Sequence, residues 1–146
     1  MAEKDPLNAS YFMVDVPGVT NAHFREATGF TTENNVITTP YSGKDGKVIQ
    51  KQIPGTMKLT PITFKRGLSD NLDLWKWRKL VEEGKIEEAR KNVSVVAYST
   101  DNKEVARWTL EAAWCSKLTG PTLDAKSNEV GIEDITIVFE AYKREK

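Results

Sequence analysis

The chain contains one histidine and one cysteine, so any nucleophilic chemistry has to pass through one of them. A Ser-His-acid or Cys-His site would use His23, which lies in a strand-like pattern between Ala22 and Phe24; a structural or surface role is expected for it. Cys115 follows Trp114 and reads as a small strand residue rather than a nucleophile. The two together cannot build a zinc site of the usual nitrogen-sulfur type. A lone cysteine also forbids an internal disulfide, so nothing points to an oxidising compartment. Gly43-Lys44-Asp45-Gly46-Lys47 holds glycines and lysines but lacks both the spacing of a phosphate-cradling loop and a following helix. Glu82-Glu83 and Glu87-Glu88 read as a solvated helix face, and nothing selects a carboxylate pair for glycoside chemistry. Trp75, Trp77, Trp108 and Trp114 are the remaining chemistry-bearing set, as a stacking platform for sugars or bases. Their spacing fits a core more economically, with Trp77 of a helix against Trp108 and Trp114 of a strand, beside Leu110, and with Trp75 turned to a partner. The expectation is a protein with no catalytic residue, no metal and no cofactor.

Composition agrees with a non-enzymatic, associating protein. At 146 residues the chain reads as one domain, 1–146, long enough to bury a core. Its 21 basic and 21 acidic residues cancel, which argues against a life spent gripping polyanions and leaves little self-repulsion against association. Met1-Ala2-Glu3-Lys4-Asp5-Pro6 lacks the apolar core of a signal peptide, and no apolar run approaches the ~18 residues of a membrane span. Assembly in the cytoplasm without membrane insertion is the expectation. The charge is unevenly placed. Residues 35–66 carry Lys44, Lys47, Lys51, Lys58, Lys65 and Arg66 against Asp45 alone, while 1–34 and 124–146 are acidic. A basic segment of one subunit docking on an acidic surface of the next is the sharper reading of that pattern.

The elements follow from periodicity and turn chemistry. Asn8 to Val16 alternates as a strand, with Phe12, Val14 and Val16 on one face, and Pro17-Gly18 ends it. A second extended stretch is expected from Ala22 to Glu33. Residues 34–52 predict a projecting hairpin in which Val36-Ile37 lead out and Val48-Ile49 lead back around an Asp45-Gly46 turn. Ile53-Pro54-Gly55 reads as a break, and Thr56 to Arg66 as a strand that changes phase at Pro61, at an edge or bulge. One helix is expected over 69–84, capped by Ser69 or Asp70 and stopped by Gly84. Leu74, Trp77, Leu80 and Val81 form its buried stripe, widened by Leu72 and Trp75. Another turn of helix is expected between Lys85 and Lys91. Asn92 to Thr100 and Glu104 to Thr119 predict a hairpin, and Ile132 to Tyr142 the last strand.

The strand from Glu104 to Lys117 is the most informative. Alternation puts Ala106, Trp108, Leu110, Ala112 and Trp114 on a dry face and Val105, Arg107, Thr109, Glu111 and Ala113 on a wet one. Fourteen extended residues reach roughly 45 Å, against an expected radius of gyration of about 15 Å for this length. Such a strand crosses the whole subunit, which argues for a sheet continued into a neighbour.

The order of these pieces resembles the phage tail-tube family. The resemblance is carried by Pro6-Leu7-Asn8-Ala9-Ser10-Tyr11-Phe12 with Val14-Asp15-Val16-Pro17-Gly18, and by Phe24-Arg25-Glu26-Ala27-Thr28-Gly29-Phe30. Ile53-Pro54-Gly55, Ile62-Thr63-Phe64-Lys65-Arg66-Gly67, Leu74-Trp75-Lys76-Trp77 and Gly120-Pro121-Thr122-Leu123-Asp124-Ala125 continue it. The chain looks most similar to inner-tube proteins of extracellular contractile injection systems, relatives of contractile-phage tail tubes and of type VI Hcp. The resemblance implies a mainly β fold: a small antiparallel β-barrel or sandwich of two sheets, with one flanking α-helix and a projecting hairpin. It implies homohexameric rings stacked into a tube inside a sheath, with baseplate, spike and cap as further partners, in a particle that works outside the cell. Lys44, Asp45, Lys47 and Lys51 become candidates for contact between rings. Arg107, Thr109 and Glu111 become candidates for the lumen, which holds payload proteins, or DNA if the particle is a phage. Two alternatives stand beside this reading: a phage tail tube conducting DNA, and a monomeric β-barrel module with an aromatic ligand pocket.

Overall fold

Alternation becomes burial wherever a strand has a neighbour on each side. In the computed structural model, which describes residues 11–68, 71–126 and 131–146, β1 (Tyr11–Val16) buries Val14 and Val16. Gly18, at a φ of +73°, turns the chain into β2 (Thr20–Phe24), antiparallel to β1. The expected single stretch from Ala22 to Glu33 is divided here. At Arg25 the backbone N–H leaves the first layer and donates to the Lys65 carbonyl at 2.7 Å, so β3 (Glu26–Thr28) pairs with β6 (Ile62–Gly67) instead. Gly29, at a φ of +106°, closes this crossing, and a Cβ there would collide with the Pro61 carbonyl. Pro61 itself lies in the connection before β6 and carries no ladder bond.

β4 (Thr32–Ser42) and β5 (Val48–Leu59) pair only with each other. This ribbon is longer than the 34–52 hairpin expected, and Ile53-Pro54-Gly55 lies inside β5 rather than breaking the chain. A free ribbon has nothing but edge strands, so Pro54 removes no bond from a central ladder.

α1 (Asp73–Glu82) is shorter than the expected 69–84. Ser69 and Asp70 lie outside the described residues; the first-turn N–H of Asp73 donates to Asn71 Oδ1 at 2.9 Å. Gly84, at a φ of +81°, ends the helix, and α2 (Ile86–Ala89) adds a turn. Leu74 and Trp77 are buried, but Leu72 sits outside the first turn and points to solvent, so it does not widen the stripe.

β7 (Lys91–Tyr98) pairs with the first half of β8 (Glu104–Thr119), and β9 (Ile132–Val138) with the second half, while β10 (Ala141–Arg144) pairs with residues 108–111 of β8. The strand order is β2-β1-β7-β8-β9-β6-β3, all antiparallel. The path begins and ends on consecutive strands, β2 and β3, which do not pair. The result is a sandwich of two sheets and not a closed barrel, with β8 passing from one layer to the other. Val14, Val16, Val93, Val95 and Leu110 of one layer meet Ile62, Phe64, Ile135 and Ile137 of the other, with Leu74 and Trp77 of α1 in the same cluster.

The passage between layers has a cost in regularity. Ala112 takes a φ of +50°, and two β8 residues, Glu111 and Ala112, stand opposite Asn92. The Ala112 N–H, displaced from the ladder, donates to Asn92 Oδ1 at 3.2 Å. An extra residue in a period-2 strand reverses its faces. Ala106 and Leu110 are buried before the bulge, Ala113 and Cys115 after it. The expectation that Ala112 and Trp114 continue the dry face, and Ala113 the wet one, is therefore overturned.

Candidate assembly surfaces

Three surfaces emerge from these elements. The first is the outer face of the layer β2-β1-β7-β8-β10. Register aligns Asn21, Asp15, Ser94, Thr109 and Lys143 in one row across its five strands, and His23, Met13, Val96 and Arg107 in the next. Arg107, Thr109 and Glu111 thus share one partly exposed face. Arg107 Nε donates to Glu104 Oε1 at 2.6 Å. That bond holds the Glu104 carboxyl below its usual range and raises Arg107. Acids (Asp15, Glu104, Glu111) and bases (Arg107, Lys143) are interleaved, so the face carries no single-sign field. His23 is absorbed structurally: its ring meets Tyr11 edge-on at 5.7 Å, and Tyr11 stacks on Tyr98 at 5.2 Å.

The second surface is the ribbon. Lys44, Asp45 and Lys47 sit in its turn, where Gly46 takes a φ of +77° and the Lys47 N–H donates to Asp45 Oδ1 at 3.3 Å. Lys51 is not with them. It lies three pairs inward, opposite Thr39, with its Nζ 5.9 Å from the centre of the Tyr41 ring. The pairs Ile37–Ile53, Thr39–Lys51 and Tyr41–Ile49 share one face. Sequence reasoning missed this stripe because it took Val36-Ile37 and Val48-Ile49 as doublets; only the second member of each doublet belongs to it. The signal was the alternation Ile37, Thr39, Tyr41 and Ile49, Lys51, Ile53.

The third is a pair of clefts, each of about 520 Å³. One is aromatic, lined by Phe12, Phe24, Phe30 and Trp108, with Arg25 at its wall. Trp108 is half-buried there, 4.9 Å from Phe30 and under the Arg144 guanidinium at 5.7 Å. The other is lined by Leu68, Leu123 and Ile132 with Lys65, Asp124 and Asp134. Trp77 lies elsewhere, buried, its indole N–H donating to the Ala89 carbonyl at 2.6 Å. Trp75 is less free than expected, since its indole N–H donates to Glu133 Oε1 at 3.1 Å.

Burial pushes the Cys115 thiol up to about 11, which keeps it protonated and unreactive near neutrality. Among the described residues no group of three or more His, Cys, Asp or Glu side chains is placed to hold a metal ion, and no helix is long and apolar enough to cross a membrane.

Residues 8–143 match the family model of the T4-like virus tail tube protein gp19. No curated protein matches the chain by sequence. Among solved structures, the fold is similar to a chain of the PVC sheath-tube complex, an extracellular contractile injection system in its extended state. There the TM-score is 0.78 at 22% identity, over 96% of this chain and 91% of that one. A chain of the anti-feeding prophage cap, the terminus of its tube, gives 0.77 at 22% identity, covering 99% and 94%. Hcp1 from Flavobacterium johnsoniae gives 0.61 at 14% identity, covering 92% and 94%.

Proposed function

The chain belongs to the T4-like virus tail tube protein family, a structural tube subunit and not an enzyme, and we propose that it builds the inner tube of a contractile injection system. Copies join as hexameric rings, the rings stack, and the channel houses or conducts payload when a surrounding sheath contracts. One observation carries this reading: the outer face of the β2-β1-β7-β8-β10 layer is largely polar, Val96 being its buried exception, and the strands at its two ends, β2 and β10, pair on one side only. Free strand edges invite pairing with another chain, and a closed ring satisfies all of them at once. Arg107, Thr109 and Glu111 then line the lumen, and the ribbon with Lys44, Asp45, Lys47 and Lys51 reaches the next ring.

Sheath, baseplate and cap proteins are the partners this role requires, and the similar folds come from a sheath-tube complex, a tube cap and a prophage baseplate. Assembly in the cytoplasm precedes release within a tail-like particle. Interleaved charge on the proposed lumen selects neither protein cargo nor a polyanion. The family's viral members favour the second reading, a phage tail tube conducting DNA. Capsid and portal genes beside this one would decide for the phage.

Electron microscopy of concentrated full-length protein tests the proposal. Hollow tubes with six-fold end views are the expected result. A chain that stays monomeric by light scattering and saturably binds a small ligand in the aromatic cleft would replace it with the binding-module reading.

A further inference from the structure

Among the described residues, two of the uncovered apolar surfaces match each other. The ribbon β4–β5 pairs with no third described strand, and a two-stranded ribbon in water is marginal unless something covers its apolar face. That face carries Ile37, Tyr41, Ile49 and Ile53, each between 37% and 56% exposed. The reverse face is more polar, with Thr38 donating to Gln52 Oε1 at 3.0 Å. On the body of the same chain, Leu68, Ile132 and Leu123 stand exposed by 51%, 42% and 81% around the second cleft.

Charge selects between the two clefts as receivers. The ribbon holds Lys44, Lys47, Lys51 and Lys58 against Glu33 and Asp45, so it is basic. The aromatic cleft presents Arg25 and the Arg144 guanidinium above Trp108, which repel it. The Leu68–Leu123–Ile132 cleft presents Asp124 and Asp134 against Lys65, which attract it.

We infer that the apolar face of one copy's ribbon seats on the Leu68–Leu123–Ile132 cleft of a second copy, with Lys51 directed at Asp124 and Asp134. The two patches differ, so the contact is heterologous: every copy offers one ribbon and one cleft, and association continues until a ring closes or a stack grows. This rests on the tube reading and deepens it. The grip between subunits lies in the apolar stripe, with the lysines of the turn in a secondary place.

Directed cross-linking tests the contact. Full-length Ile49→Cys chains are mixed with Leu123→Cys chains, allowed to assemble, oxidised and run on a non-reducing gel; Cys115 is fully buried and stays silent. A disulfide needs Cα atoms within about 7 Å, so a hetero-dimer band reports real proximity. The expected result is a band several-fold stronger than in two control mixtures: Ile49→Cys with Ala27→Cys of the aromatic cleft, and Val36→Cys of the reverse face with Leu123→Cys. Tubes that form with no such band, or with equal bands in the controls, overturn the docking and leave the tube standing. A parent chain that never assembles overturns both. In a second test, Lys51→Glu lowers assembly several-fold and the added pair Asp124→Lys and Asp134→Lys restores it; loss without restoration refutes the pairing.

Discussion

Arg66 and Glu133 form a buried ion pair, Nε to Oε2 at 3.1 Å, with side chains only 7% and 4% exposed. It ties β6 to β9, and both partners extend it. Arg66 Nη2 donates to the Asn71 carbonyl at 3.2 Å and its guanidinium lies 5.8 Å from the centre of the Phe24 ring, while Glu133 Oε1 accepts the Trp75 indole N–H. One carboxylate thus locks α1 onto the second layer beside the docking cleft.

Removing one member of such a pair leaves the other charged and uncompensated. Glu133→Ala is expected to destabilise the subunit by about 3–5 kcal/mol, whereas the joint replacement Arg66→Met with Glu133→Leu costs far less. Urea midpoints of the two variants against the parent measure this; equal losses for the single and joint replacements would place the energy in packing instead of charge.

The two core-side tryptophans should separate. Trp77 is 1% exposed and its indole N–H is satisfied, so Trp77→Ala is expected to lose about 3–5 kcal/mol. Trp108, half-buried at the mouth of the aromatic cleft, should lose less. Thermal midpoints in the reverse order would mean that the cleft, and not the helix contact, anchors the sandwich.

Ala112 carries the backbone strain of the layer crossing. A β-branched side chain tolerates that conformation worst, so Ala112→Val is expected to cost about 1–3 kcal/mol. Ala112→Gly, free of a Cβ, should leave stability close to that of the parent. Chemical denaturation distinguishes them.

Cys115 makes stability pH-dependent on the alkaline side. Its ordinary value near 9.0 is raised to about 11 by burial. Between those values the unfolded thiol has lost its proton while the folded one keeps it, so the unfolded state binds fewer protons and stability falls as pH rises. Below about 9 the contribution is intact. Cys115→Ala should flatten this part of the profile, and a parent-minus-variant difference that stays constant from pH 8 to 11 would contradict the burial argument.

At the ribbon's turn, charge reversal of Lys44 and Lys47 together is expected to weaken stacking between rings more than closure within one. Tube length in micrographs, set against ring count, reads the two apart. Unchanged tube length and yield would show that the turn's charges do not mediate stacking.

Much of this molecule was legible before folding was considered. Period-2 alternation marked β1 and the first half of β8, and it marked β9 as part of a single Ile132–Tyr142 strand that the structure divides into β9 and β10; helical spacing marked α1, and the Asp45-Gly46 turn marked the ribbon. Motif order from Pro6 to Ala125 resembled the tail-tube family, to which the chain belongs. These are properties of neighbours in the chain, where turn chemistry and apolar period act without reference to distant partners.

The rest was decided across distance. Arg25 left the first layer because the Lys65 carbonyl was there to receive its N–H. One positive φ at Ala112 exchanged the faces of β8, and no alternation pattern announces an inserted residue that a bulge absorbs. Arg66 found Glu133 across 67 positions, where composition shows only two charges of opposite sign. Ile37, Tyr41, Ile49 and Ile53 could be read as strand residues from sequence, but that their common face stays uncovered follows from where the other strands went. Sequence fixes what each segment prefers, and the balance of burial and hydrogen bonding over the whole chain selects which preferences are met inside one subunit and which are left for the next.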